Sequence, residues 1–156
     1  MRFQISALPA DEFAPLFELD DDQLRARGAK RYVATRTPGF PCRVSLEDAA
    51  VGESLVLVSF AHHLVDSPYR ASGPIFVRES ARQALPGANE VPEQLRVRLL
   101  SVRAYDTNAL MVDADTVEGS ELESVVERLF SKPHVAYLHV HFAKPGCYAC
   151  RIDRQA

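Results

Sequence analysis

The sequence predicts an α+β fold in which a mainly antiparallel β-sheet carries flanking helices. Two observations point to strands: residues 135–142 alternate apolar and polar side chains, and residues 54–61 are almost continuously apolar. A third points to a helix, because residues 122–130 place their apolar side chains on one stripe. A chain of 156 residues suits one domain, so we expect a single globular domain over residues 1–156.

The first third of the chain predicts two short helices and a strand. Apolar spacing favours a short helix over residues 9–17. Asp20 and Gln23 have the capping-box spacing of a second helix, which we expect to end near Gly28. Residues 29–36 then have the composition of a strand.

The middle of the chain alternates stiff turns with strands. Two prolines and a glycine predict a rigid turn over residues 38–43, and residues 45–48 have the spacing for one helical turn. The apolar run at 54–61 predicts a central strand covered on both faces. It leads into a polar loop over residues 62–74, and a strand resumes at residues 75–77.

The last third predicts a helix beginning near Pro92, although alternation there also fits a strand. Residues 101–117 indicate a hairpin, and Ser120 with Glu123 indicates the capping box of the clearest helix. Apolar residues of the strands and of this helix are expected to form one contiguous core. They are Leu55, Val56, Leu57, Val58, Phe76, Val126, Leu129, Leu138, Val140 and Phe142.

Composition excludes some classes of partner. The formal net charge of -3, without any lysine or arginine run, argues against a nucleic-acid binder. No apolar run approaches membrane-spanning length, and the first residues lack the apolar region of a signal peptide, so we expect a cytoplasmic protein without membrane contact. Three cysteines, an odd number, fit free thiols in a reducing compartment.

The most suggestive stretch is the last predicted strand and the turn that follows it. Period-two alternation places Tyr137, His139 and His141 on one face, opposite an apolar face. The turn at Pro145-Gly146 then brings Cys147 back towards them. Two imidazoles, a phenol and a thiol in one place indicate a candidate site.

A transition-metal site is one interpretation of this stretch. His139 and His141 would supply two nitrogens on one face, with a third ligand from Cys147, His62 or Asp113. The alternative is that the histidines line a polar groove or hydrogen-bond to neighbouring strands.

Thiol catalysis is a second interpretation. Cys147 could act as a nucleophile with His139 or His141 as its base, which would make these three the catalytic residues. Cys147 and Cys150 also have the spacing of a redox pair, but alternation buries Cys150. The alternative is a structural cysteine on a tight turn.

Anion recognition is a third interpretation, because arginines lie on or beside the two rigid loops and arginine binds carboxylate or phosphate well. The side chains expected to bind a ligand are Cys42, Arg43, His62, Tyr69, Arg70 and Arg78. The alternative is that these arginines pair with the chain's own acids. Asp113 and Asp115 also share a strand face, either as acid–base groups or as a solvated face.

Four segments together resemble an uncharacterised bacterial family, the domain of unknown function numbered 1203. They are residues 38–46, 66–72, 111–115 and 139–148. The resemblance covers essentially the whole chain and implies a stand-alone bacterial protein, but it brings no activity with it.

Two function classes follow from the residues. The first is a protein or enzyme that binds a small molecule, most simply an anion, in a cleft lined by histidine, arginine and cysteine. The second is a non-catalytic interaction module whose polar face docks a partner. The sequence leaves open both the oligomeric state and whether the protein is an enzyme.

Overall fold

The computed structural model describes all 156 residues and confirms the α+β class. Eight strands form two antiparallel sheets. The strands are β1 (Arg2–Ser6), β2 (Ala29–Val33), β3 (Ser54–His63), β4 (Ala71–Arg78), β5 (Leu99–Tyr105), β6 (Met111–Glu118), β7 (Tyr137–Phe142) and β8 (Tyr148–Gln155). The helices are α1 (Asp21–Ala26), α2 (Glu93–Arg96) and α3 (Leu122–Phe130), with 3₁₀ turns at Ala14–Glu18 and Gly119–Glu121.

The strands divide into a five-stranded and a three-stranded sheet. The larger sheet has the order β1-β8-β7-β5-β6, so β7 is its middle strand. The smaller sheet has the order β2-β3-β4, with β3 in the middle as expected for the most apolar strand. The two middle strands, β3 and β7, therefore lie in different sheets.

The expectation of one contiguous core is wrong for this reason. The largest cluster contains the apolar face of β7 and the stripe of α3, including Leu138 and Val126. Val56 and Val58 belong to a second cluster, and Leu55 belongs to a third. The apolar side chains of β3 and those of β7 therefore belong to separate clusters.

The first two helices show where the local signals succeed and fail. The capping box of α1 is present: Gln23 N donates to Asp20 Oδ1 at 2.8 Å, and Asp20 N donates to Gln23 Oε1 at 2.9 Å. The predicted helix over residues 9–17 is instead a 3₁₀ turn that begins with a proline in its first two positions. Residues 45–48 form a turn and no helix, and Leu46 there has a φ of 52°.

The helix α3 keeps its predicted stripe but begins differently. Leu122, Val125 and Leu129 are buried as expected. Ser120 does not cap the helix, because a 3₁₀ turn at Gly119–Glu121 precedes it and no side-chain cap is present. Gly119 is required there by packing, since a Cβ atom would lie 1.7 Å from the Leu95 carbonyl oxygen.

Contacts from the segment 40–44 connect the two sheets. Cys42 forms an isolated parallel bridge with Phe76 of β4, and the Arg43 N–H donates to the Phe76 carbonyl at 3.0 Å. The side chain of Arg43 reaches the other way, to the Tyr148 carbonyl of β8. None of the helices is both long and apolar enough to cross a membrane.

The packing around β7 yields a stability prediction. Leu138 is fully buried in the largest cluster, so Leu138→Ala should lower the free energy of unfolding by about 2–5 kcal/mol. Val112 on β6 is a matched exposed position, and Val112→Ala should cost less than about 1 kcal/mol. Urea denaturation of the two variants checks this, and equal losses would contradict the position of β7 at the centre of the core.

Candidate functional site

The polar face of β7 is buried between the two sheets and does not line an open cleft. His139 and His141 are only 3% and 1% exposed, and Tyr137 is also buried. The C-terminal end of β3 brings His62 and His63 onto this face. The sequence correctly placed the three β7 side chains together, but it could not indicate that a second sheet covers them.

Four histidines therefore form one group, which we call the histidine cluster: His62, His63, His139 and His141. The ring centroids of His62 and His141 lie 5.1 Å apart, and those of His63 and His139 lie 4.9 Å apart. Tyrosine rings enclose the group, contributed by Tyr105, Tyr137 and Tyr148. Of the β3 residues, only His62 was expected near His139 and His141, and its ring does contact theirs.

Two of the four histidines are held in a defined tautomer by hydrogen bonds. His63 Nδ1 lies 2.7 Å from the Tyr69 carbonyl oxygen, so this nitrogen carries the proton. Its Nε2 then accepts from the Tyr137 hydroxyl at 2.7 Å. His141 Nδ1 donates to the Gly146 carbonyl at 3.0 Å, and its Nε2 faces Arg103 Nη1 at 3.5 Å.

The other two histidines have unpaired nitrogens. The Nδ1 atoms of His62 and His139 are buried without a hydrogen-bond partner. Burial, with neighbouring histidines adding to it, lowers the pKa of His139 to about 2. Burial likewise lowers the pKa of His141 to about 4, and it lowers the pKa of the half-buried His62. His62, His139 and His141 are therefore neutral near pH 7.

This geometry does not assemble the metal site that the sequence suggested. No group of three or more histidine, cysteine, aspartate or glutamate side chains has an arrangement that could hold a metal ion. His139 and His141 are neighbours on one face with ring centroids 6.5 Å apart. Asp113, one of the expected third ligands, instead forms a salt bridge with Lys132, which follows α3 in the chain.

A second region surrounds the buried guanidinium of Arg43, which is 1% exposed. Its Nε donates to the Tyr148 carbonyl at 2.7 Å, and its Nη1 donates to the Pro41 carbonyl at 2.5 Å. Its Nη2 donates to Cys147 Sγ at 3.0 Å, and the guanidinium lies 4.9 Å from the centre of the Phe142 ring. Arg43 forms no salt bridge with a carboxylate. Burial lowers the pKa of its guanidinium, and the nearby Cys147 partly offsets this by raising it.

Arg43 and Cys147 form part of the wall of a cavity of about 570 Å³. We call it the cationic cavity, because the charged residues that line it are all basic: Arg36, Arg43, Arg98 and Lys144. Arg98 is neutralised by the half-buried Asp48, whereas Arg36 and Lys144 form no salt bridge. The remaining walls are largely apolar, with contributions from Phe76, Val97, Leu99 and Phe142.

The three cysteines occupy different environments. Cys147 is half-buried on the cavity wall, and no hydrogen bond joins it to His139 or His141, so its partner is a guanidinium and not an imidazole base. Cys42, expected to bind a ligand from a rigid turn, is instead fully buried, and its sulfur accepts backbone N–H groups of Ser45 and Arg78. Cys150 is buried in the main core as predicted, and burial raises the pKa of its thiol to about 12.

The other expected ligand-binding residues lie apart from the cavity. Arg78 pairs with Glu53 and Glu47, which matches the alternative that the arginines serve the chain's own acids. Tyr69 and Arg70 lie on an exposed loop beside the histidine cluster. Asp113 and Asp115, in the same way, form ion pairs with basic side chains on and just after α3.

Among the charged residues of the cavity, three were not singled out from the sequence: Arg36, Arg98 and Lys144. Arg36 and Lys144 flank the two Pro/Gly turns that were recognised, so adjacency to those turns was the available signal. Arg98 lies between α2 and β5, and neither a motif nor residue spacing in the sequence marks it as a site residue.

The histidine cluster predicts a specific pH dependence of stability. Because the folded-state pKa values of His139 and His141 lie below the ordinary 6.5, the unfolded chain binds protons first on acidification. The free energy of unfolding should therefore fall as pH drops below about 6.5, by about 1.4 kcal/mol per pH unit for each such histidine. His141→Gln should remove one histidine's share of this slope between about pH 6.5 and 5, above the range where carboxylates titrate.

His134 provides the matched control, because it is exposed and outside the cluster. Urea denaturation of the wild type, His141→Gln and His134→Gln over this pH range measures the slopes. The control should keep the wild-type slope. An unchanged slope in His141→Gln would show that the imidazole is not held neutral by the fold.

Comparison with known proteins gives a family but no activity. No curated protein and no solved structure matches the chain. A family model described as "Protein of unknown function (DUF1203)" matches residues 39–154, which include the cationic cavity's Arg43 and Cys147 and all four clustered histidines. The chain belongs to the DUF1203 family.

Proposed function

We propose that the protein binds a small anionic molecule in the cationic cavity. The observation that carries this proposal is the buried Arg43 guanidinium in the cavity wall, which has no carboxylate partner. Buried charges in proteins are normally paired, because removing a charge from water costs several kcal/mol. An anion in the cavity supplies the missing negative charge.

The other charges of the cavity act in the same direction. Arg36 and Lys144 are exposed and form no salt bridge, so their charges are available to a ligand. Arg98 is offset by Asp48, with both side chains half-buried, and contributes less. Clefts lined by one sign of charge raise the local concentration of the opposite ion, which favours an anion over a neutral ligand.

Size and lining define the ligand class further. A volume of about 570 Å³ lies within the range of small-molecule sites. Phe76 and Phe142 supply aromatic walls, and Val97 and Leu99 supply aliphatic ones. We therefore assign the ligand a carboxylate or phosphate group attached to a compact organic body.

Ligand binding fits this structure better than docking of a partner on the polar face of β7. That face is covered by β3, so it presents no surface to another protein. We further propose that the protein works in a bacterial cytoplasm, which suits three cysteines that form no disulfide.

Arg36 and Lys144 are the residues to change, because each is exposed and its side chain forms no hydrogen bond or salt bridge. The Arg36 guanidinium lies over the face of an aromatic ring, 5.8 Å from the centre of Phe40. Replacing Arg43 would leave the carbonyls of Pro41 and Tyr148 unpaired and would confuse folding with binding. We expect Arg36→Gln and Lys144→Gln each to weaken binding of inorganic phosphate or citrate roughly tenfold, the loss of one charged hydrogen bond. Isothermal titration at constant ionic strength measures the change.

Arg27→Gln is the matched control, because Arg27 is an exposed arginine that forms no salt bridge and lies outside the cavity. It should bind both anions as the wild type does. Equal affinity in all four proteins, or no heat from any anion with the wild type, would contradict the proposed function.

A further inference from the structure

We propose that Cys147 undergoes thiol–disulfide exchange with an anionic low-molecular-weight disulfide held in the cationic cavity. This inference rests on the proposed function, because the same cations would hold the disulfide's carboxylates. It adds to that function a covalent step at a named atom, Cys147 Sγ, and a substrate class.

Access is provided by the cavity. Cys147 is the only cysteine in its lining, and the thiol is half-buried, so a small disulfide can reach the sulfur while the surrounding wall orients it. The turn that carries Cys147 is fixed by two backbone hydrogen bonds with Phe142, at 2.8 and 2.9 Å. The sulfur therefore has a defined position relative to the cations.

Charge selects the disulfide that reacts. Arg43 Nη2 donates to Cys147 Sγ at 3.0 Å, and this contact holds the sulfur beside the other cations of the cavity. Arg36 and Lys144, on the same cavity wall, attract a disulfide that bears carboxylates and repel one that bears amines. The cavity thus selects between small disulfides by their charge, even where their S–S bonds are equally reactive.

The exchange step is balanced without a further reagent. The Cys147 thiolate attacks one sulfur of the small disulfide, a new S–S bond forms, and the original S–S bond breaks. The released thiolate leaves with the electron pair and takes up a proton, which replaces the one lost from Cys147. Cys147 is oxidised, and the departing half of the disulfide is reduced.

The other two cysteines cannot resolve the adduct. Cys42 is fully buried and points into the second core cluster, where its sulfur accepts backbone N–H groups. Cys150 lies in the main core, on the apolar face of β8, and remains a protonated thiol. The mixed disulfide at Cys147 is therefore the end product until an external thiol reverses it.

The test compares two disulfides of opposite charge on the reduced, folded protein. Oxidised glutathione has a net negative charge, and cystamine carries only amines. Each rate is divided by the rate of the same disulfide with 2-mercaptoethanol, an uncharged thiol. Intact mass spectrometry with peptide mapping should find one adduct, on Cys147, with a normalised preference for oxidised glutathione of roughly tenfold or more. The double variant Arg36→Gln/Lys144→Gln should lose most of that preference, and Cys147→Ser should form no adduct.

No adduct on the wild type, an adduct on Cys42 or Cys150, or equal normalised rates for the two disulfides would overturn the inference. Titration of Cys147→Ser with phosphate separates this failure from that of the proposed function. If the variant binds phosphate while the wild type does not exchange, only the covalent step is wrong. If phosphate does not bind and no preference exists, both proposals are wrong.

Discussion

The burial of one guanidinium without a carboxylate beside it is the constraint on which this structure depends. Arg43 donates to carbonyls of its own stiff segment and of β8, and to the sulfur of Cys147. Its backbone pairs with Phe76 of β4. This residue thus bridges the two sheets and sets a positive charge at the cavity wall. Dispersed hydrogen bonds stabilise the buried cation but leave its net charge uncancelled, and this supports our proposal that the cavity binds an anion.

The two polar regions of the molecule share one short segment. Gly146 accepts from His141 of the histidine cluster, Cys147 accepts from Arg43, and the Tyr148 ring stacks on His62 while its carbonyl accepts from Arg43. Within this segment Cys147 lines the cavity, whereas Gly146 and Tyr148 contact the cluster. The cluster contributes a tightly packed contact between the sheets, and the cavity contributes the charge and the accessible thiol.

Local patterns in the sequence were sufficient for much of the fold. Alternation placed His139 and His141 on one face of β7, and a capping box correctly marked the start of α1. The site was harder to predict, because it depends on which strands meet. Nothing local indicates that β3 covers the polar face of β7, or that Cys42 is buried by a bridge to β4. A polar strand face can be solvated or covered, and only the tertiary packing decides between the two.

We propose above all that the wall containing Arg43 forms an anion site. Crystals grown with selenate test this proposal most directly, because selenium's anomalous scattering locates the anion without assumptions about its chemistry. We predict an anomalous peak inside the cavity, within hydrogen-bond reach of Arg36 or Lys144, that disappears in the Arg36→Gln/Lys144→Gln protein. Selenate bound elsewhere on the molecule, with the wild-type cavity empty, would contradict it.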